Sequence, residues 1–160
     1  MNMRRMSYTL VEEPKGKVYR HLLKYAIGKC SKALLVTRPS IVLSGKGNEL
    51  LENLRPFLEH ESKSSEWPGT KLLGGTALIR YYKWTEDCAN IISNAVNGLY
   101  DLKQPDFPED LCLIRGEGDP FLVTISHEKD AYLVLTPEEK EDIIKTISAL
   151  KGLISEIGSQ

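Results

Sequence analysis

The chain has 160 residues, 41% hydrophobic and 27% charged, with a net charge of −1 and a pI near 6.3. That length suits one domain, which buries roughly 70% of its unfolded surface on folding. No apolar run approaches the ~20 residues of a membrane-spanning helix, and no apolar segment follows the basic start at Arg4-Arg5, which argues against a secretory signal.

The near-neutral total conceals segregation. Residues 1–38 hold nine Lys/Arg against two acids, residues 39–80 hold five of each, and residues 81–160 hold fifteen acids against seven Lys/Arg. Either the two ends neutralise each other or one faces a charged partner. Cys30, Cys88 and Cys112 are odd in number and widely spaced, the pattern of free thiols in a reducing cytoplasm.

Residues 1–6 are expected to fray, and residues 7–158 to form one domain. Ser7–Glu12 reads as a short strand. Lys15–Cys30 reads as a helix, because Tyr19, Leu22, Leu23, Ala26, Ile27 and Cys30 recur at three- and four-residue intervals. Ala33–Thr37 and Ile41–Leu43 read as strands split by the turn Arg38-Pro39-Ser40. A helix capped by Asn48 follows, shortened by Pro56. Glu61–Gly69 reads as a loop. Lys71–Trp84 is strand-like, interrupted at Gly74-Gly75.

Thr85 caps the next helix, with Glu86 and Asp87 at its positive end. After a loop at Gln104–Asp110, Leu111–Arg115 and Phe121–Ile125 flank the hairpin signal Gly116-Glu117-Gly118-Asp119-Pro120. Ala131–Leu135 is a further strand. Thr136-Pro137-Glu138-Glu139 combines a cap, a proline at the first helical position and two acids. The helix it opens is expected to bury Ile143, Ile144, Ile147, Leu150, Leu153, Ile154 and Ile157. The result is an α+β fold in the order β-α-β(β)-α-β(β)-α-β-β-β-α, an antiparallel or mixed sheet packed by about four helices.

No motif in this order identifies a reaction. On the first long helix Lys17, Arg20, His21 and Lys24 share one side, a face able to contact phosphates, although a solvated surface is the plainer reading. Ser44-Gly45-Lys46-Gly47-Asn48 lacks the residues of a phosphate-binding P-loop and reads as an ordinary turn. Ser126-His127-Glu128-Lys129-Asp130 ends a strand. His127 is a candidate general base held by Asp130 or Glu128 with Ser126 beside it, against the plainer reading of a solvated turn. No His or Cys spacing fits zinc, and no cofactor or metal is implied. Cys88, Cys30 and Cys112 read as core thiols.

Tyr81-Tyr82-Lys83-Trp84 puts Tyr82 and Trp84 on one strand face. If that face is open, these rings and the loop residue Trp67 are anchors for a partner. If both faces are covered, they are core. The leading expectation is a non-enzymatic cytoplasmic protein-binding module of the adaptor, inhibitor or immunity kind. The alternatives are an anion or nucleic-acid binder using Lys17, Arg20 and Lys24, and an enzyme using His127.

Overall fold

The computed structural model describes residues 4–156. The first half contains β1 (Met6–Leu10), α1 (Gly16–Ile27), β2 (Lys32–Thr37), α2 (Gly45–Leu54), β3 (Leu58–Ser64), β4 (Glu66–Trp67), β5 (Thr70–Lys71) and β6 (Ala77–Lys83). The second contains α3 (Glu86–Ala95), β7 (Glu109–Ile114), β8 (Pro120–Ile125), β9 (Asp130–Leu135), α4 (Pro137–Thr146) and β10 (Ile154–Glu156). Eight strands form one antiparallel sheet in the order β10-β1-β9-β8-β7-β2-β6-β3, and β4 pairs with β5 in a separate hairpin. This is the α+β fold, with four helices, that the residue pattern predicts.

Local chemistry explains the well-marked helices. Thr85 Oγ1 accepts from the Cys88 amide and caps α3. At α4, Thr136 accepts from the Glu139 amide and the Glu139 side chain accepts from the Thr136 amide, a reciprocal pair that satisfies two otherwise orphaned donors.

Five expectations need correction. The helix at 45–54 is capped by Ser44, whose side chain accepts from the Gly47 amide; Asn48 lies inside it. Ile41–Leu43 is not a strand, because the backbone there bonds to a neighbouring loop: Ile41 O accepts from Gln104 Nε2, and the Ser44 amide donates to Pro105 O. Glu61–Gly69 is not a loop throughout. Its start belongs to β3, an edge strand paired only with β6, and edge strands carry charge that hides the apolar alternation. Next, α4 stops at Thr146. Leu150 lies in a 3-10 turn at Ser148–Gly152, and Ile154 opens β10, which pairs along the outer edge of β1. Ile157 lies outside the described residues, as do residues 1–3. Met6 already belongs to β1, and Arg5 reaches Glu117 and Asp119 on the β7–β8 turn.

All four helices lie on one side of the sheet. Tyr19 and Leu22 of α1, Leu50 of α2, Ile92 of α3 and Ile143 of α4 join Tyr8, Ala33, Leu35, Tyr82, Leu113 and Leu133 in a single core. The alternate strand residues Leu34, Val36, Ile79, Cys112 and Val123 face the other way. They are covered by the β4–β5 hairpin through Trp67 and Leu72. The hairpin lies close because Gly69 has a φ of +87° and a Cβ there would meet Val123 Cγ1 at 2.8 Å; glycine satisfies both constraints. Among the described residues no helix is long and apolar enough to cross a membrane.

The charge segregation is partly resolved inside the fold. Arg5 pairs with Glu117 and Asp119, Lys29 with Glu139, and Arg38 with Glu109, so basic N-terminal residues meet acids of the second half.

Candidate functional site

The most unusual polar group in the molecule is the Glu109 carboxylate. It is fully buried at the first position of β7, at 0% exposure. Burying a carboxylate costs several kcal/mol unless charge and hydrogen bonds compensate. Here both oxygens are engaged. Oε2 accepts from Arg38 Nε at 3.0 Å, and Oε1 contacts His127 Nε2 at 2.9 Å. A carboxylate only accepts, so this contact assigns the imidazole hydrogen to Nε2. Arg38 follows the last residue of β2, and His127 lies in the turn between β8 and β9.

A β-bulge creates this arrangement. Leu34 pairs with Cys112 but Val36 pairs with Glu109, so β7 contributes one more residue than β2 over that step. Within the bulge Asp110 has a φ of 56°, in the left-handed region where a non-glycine residue is uncommon. Bulges of this kind re-aim side chains at sheet ends. Asp110 is itself buried. Its Oδ2 accepts from Trp67 Nε1 at 3.0 Å, and its Oδ1 accepts from the Ser126 amide at 2.8 Å. The Trp67 ring, fixed this way, lies 5.5 Å from the Arg38 guanidinium carbon. Gln104 completes the support: its Oε1 accepts from the Arg38 amide at 2.6 Å and its Nε2 donates to Ile41 O.

A second feature adjoins this cluster through Gln104. A groove of roughly 1160 Å³ runs between α2, α3 and the segment 96–107. Its apolar residues include Ile91, Ala95, Pro105 and Phe107, with Leu50 and Val96 buried behind them, and Lys46, Asn53, Asn94 and Asn97 are among its polar ones. Arg20 Nη1 donates to Asn97 Oδ1 at 3.3 Å, whereas the side chains of Asn53 and Asn94 are uncommitted among the described residues.

The residues singled out by sequence fall into three groups. His127, Ser126 and Trp67 do meet in one cluster, but through partners not foreseen. His127 is held by Glu109; among the described residues it makes no hydrogen bond or ion pair with Glu128 or Asp130. The Ser126 hydroxyl is buried, donates to Leu102 O at 2.7 Å and accepts from the Asp110 amide, so it is no accessible nucleophile. Tyr82 and Trp84 are 1% and 4% exposed and lie in the helix-side core; they line no open face, and with Trp67 also buried the expected aromatic surface is absent. Lys17 and Lys24 are exposed on α1 and make no ion pair among the described residues, while Arg20 bonds to Asn97, a groove residue.

The three cysteines are buried free thiols, as the apolar pattern predicts, and burial pushes each up to about 12. Thr85 works weakly against that shift at Cys88. Among the described residues no group of three or more His, Cys, Asp or Glu side chains is placed to hold a metal ion.

Sequence reasoning missed Arg38, Glu109, Asp110 and Gln104. The available signal was Glu109-Asp110, two acids leading directly into the apolar run Leu111–Ile114. No protein-family model, no curated protein and no solved structure matches this chain.

Proposed function

We propose that the protein is a non-enzymatic binding module that receives a segment of another protein in the groove between α2 and α3. The groove itself carries this reading. At roughly 1160 Å³ it exceeds the ~300–1,000 Å³ of most small-molecule pockets. Its lining is mixed, and the apolar patches at Ile91, Ala95, Pro105 and Phe107 suit side chains. The uncommitted amides of Asn53 and Asn94 each offer donors and an acceptor, the groups needed to bond a peptide backbone. The engagement of Ser126 in the fold favours binding over a serine-based hydrolysis.

The test is a photo-crosslinking amino acid placed at Asn94 or, as a control, at Glu59 on the exposed edge strand β3, with the chain expressed in its host. The expected result is a discrete adduct with one protein from Asn94 and none from Glu59. Adduct formation should fall when Phe107→Ala is added to a chain whose thermal melt is unchanged. Equal adducts from both positions, or none from Asn94, would remove the proposal.

A further inference from the structure

We propose that Arg38 and His127 form a binding site for a phosphate group, a site separate from the groove and independent of the reading above. Arg38 uses only Nε on Glu109. Its two terminal amino groups have no hydrogen-bond partner among the described residues, and the side chain is 28% exposed. His127 uses only Nε2, leaves Nδ1 without a partner among the described residues, and is 38% exposed. One buried carboxylate therefore holds two basic side chains from beneath, with the remaining nitrogens of both free to face solvent. The Trp67 ring near the guanidinium limits how the fork can turn. Gln104 fixes the backbone of Arg38 from the other side.

The ligand class follows from donors and protons. A guanidinium with free terminal N–H groups matches an oxyanion bidentately. A carboxylate would meet this need, but it carries no proton at neutral pH, and neutral His127 presents an acceptor at Nδ1. A phosphate monoester has its second ionisation near pH ~6 and three acceptor oxygens. It can place its own proton on the Nδ1 bond as the monoanion, or accept from the imidazolium as the dianion. The site is complementary to phosphate in either state and to carboxylate only when the imidazole is charged.

The experiment is an NMR titration of the full chain with inorganic phosphate at constant ionic strength and pH 7, following the ring protons of His127, assigned by their loss in His127→Gln. The expected result is a saturable shift at His127 with His21 and His60 unmoved, and a weaker response to acetate. Arg38→Lys keeps the charge but loses the fork, and should weaken phosphate by about tenfold or more, the equivalent of one charge-assisted hydrogen bond. The double variant Arg38→Met with Glu109→Gln removes both charges at similar volume and should abolish saturation. Because Arg38→Lys retains the Glu109 partner, it decides the matter even where the double variant does not fold. Equal binding curves in Arg38→Lys and the parent, equal responses to phosphate and acetate, parallel shifts at all three histidines, or no saturation would each overturn the assignment.

Discussion

β7 has a buried ion pair at each end, and the two ends are constructed differently. At its start, Glu109 is sealed inside while its partners Arg38 and His127 each keep one side toward water. Just past its end, Arg115 is the buried member, 6% exposed, and it closes bidentately on Glu139 at 2.8 and 3.0 Å while also donating to Val134 O. Glu139 in turn completes the α4 capping box and lies 3.7 Å from Lys29. The second cluster ties strand, helix cap and α1 together, and the one guanidinium nitrogen it leaves unpartnered, Arg115 Nε, is sealed inside where a ligand from solvent does not reach it. The first supports the bulge yet leaves donors uncommitted. A buried pair by itself is weak evidence for function; unused valence at its rim separates the two.

Breaking the closed end should cost the most. Glu139→Ala leaves the Arg115 guanidinium buried and unpaired, and should destabilise by about 3–5 kcal/mol in denaturant melts. Glu109→Ala should cost less, about 1–3 kcal/mol, because Arg38 and His127 can turn to water. Equal losses would erase the contrast. The same pair has a pH signature. Burial raises the Glu139 carboxyl, but hydrogen bonds from Arg115 and the Thr136 amide, with Arg115 and Lys29 charge, outweigh it and leave it below its ordinary value. A depressed carboxyl contributes stability above its unfolded value and loses it as pH falls through the folded value. Melts of the parent should therefore weaken on acidification through and below the ordinary carboxylate range, and Glu139→Gln should show a shallower slope.

The bulge gives the next effect. Asp110→Ala removes the acceptors for Trp67 Nε1 and the Ser126 amide and keeps a left-handed backbone that alanine disfavours. About 2–4 kcal/mol should be lost. Asp110→Asn tolerates that backbone and keeps one acceptor, so its loss should be clearly smaller; an asparagine variant as unstable as the alanine one would show that the charge, not the bulge geometry, is what matters. The smallest effect lies midway along the strand. Cys112 is fully buried, and its thiol is pushed up to about 12 by desolvation, with Thr124 opposing and Asp110 adding to the shift. Native protein should resist a thiol-reactive dye at pH 8 and take up label at all three cysteines only in denaturant. Rapid native labelling of Cys112 would mean that the β4–β5 hairpin opens readily.

Much of the fold was legible because it is written locally. Thr85 and Thr136 announce their helices through side-chain caps, and the hairpin at 115–120 announces itself through two glycines and a proline. What was not legible depends on distant partners. β3 is polar because it lies at a sheet edge. Ile154 continues a helical spacing yet joins β10 because the outer edge of β1 is available to it. Tyr82 and Trp84 were correctly placed on a common face, but periodicity cannot say which face the helices cover. The site was half legible. His127, Ser126 and Trp67 stood out by type, whereas Glu109 and Arg38 are 71 positions apart and meet only because β2 and β7 pair out of step.

The strand order also governs how the chain is made. β1 emerges from the ribosome before every other described strand, yet its neighbours are β9 and β10, formed by residues 130–135 and 154–156. β2, β6 and β3, by contrast, can pair as soon as Lys83 has emerged. Synthesis runs at roughly 5–20 residues per second, and pairings between distant segments form slowly. Tyr8 and Leu10 therefore wait for several seconds without a strand beside them, and a nascent chain arrested before Asp130 exposes them however well its middle has folded. The sheet is assembled from its β3 edge across toward β10, with its earliest strand among the last to be enclosed.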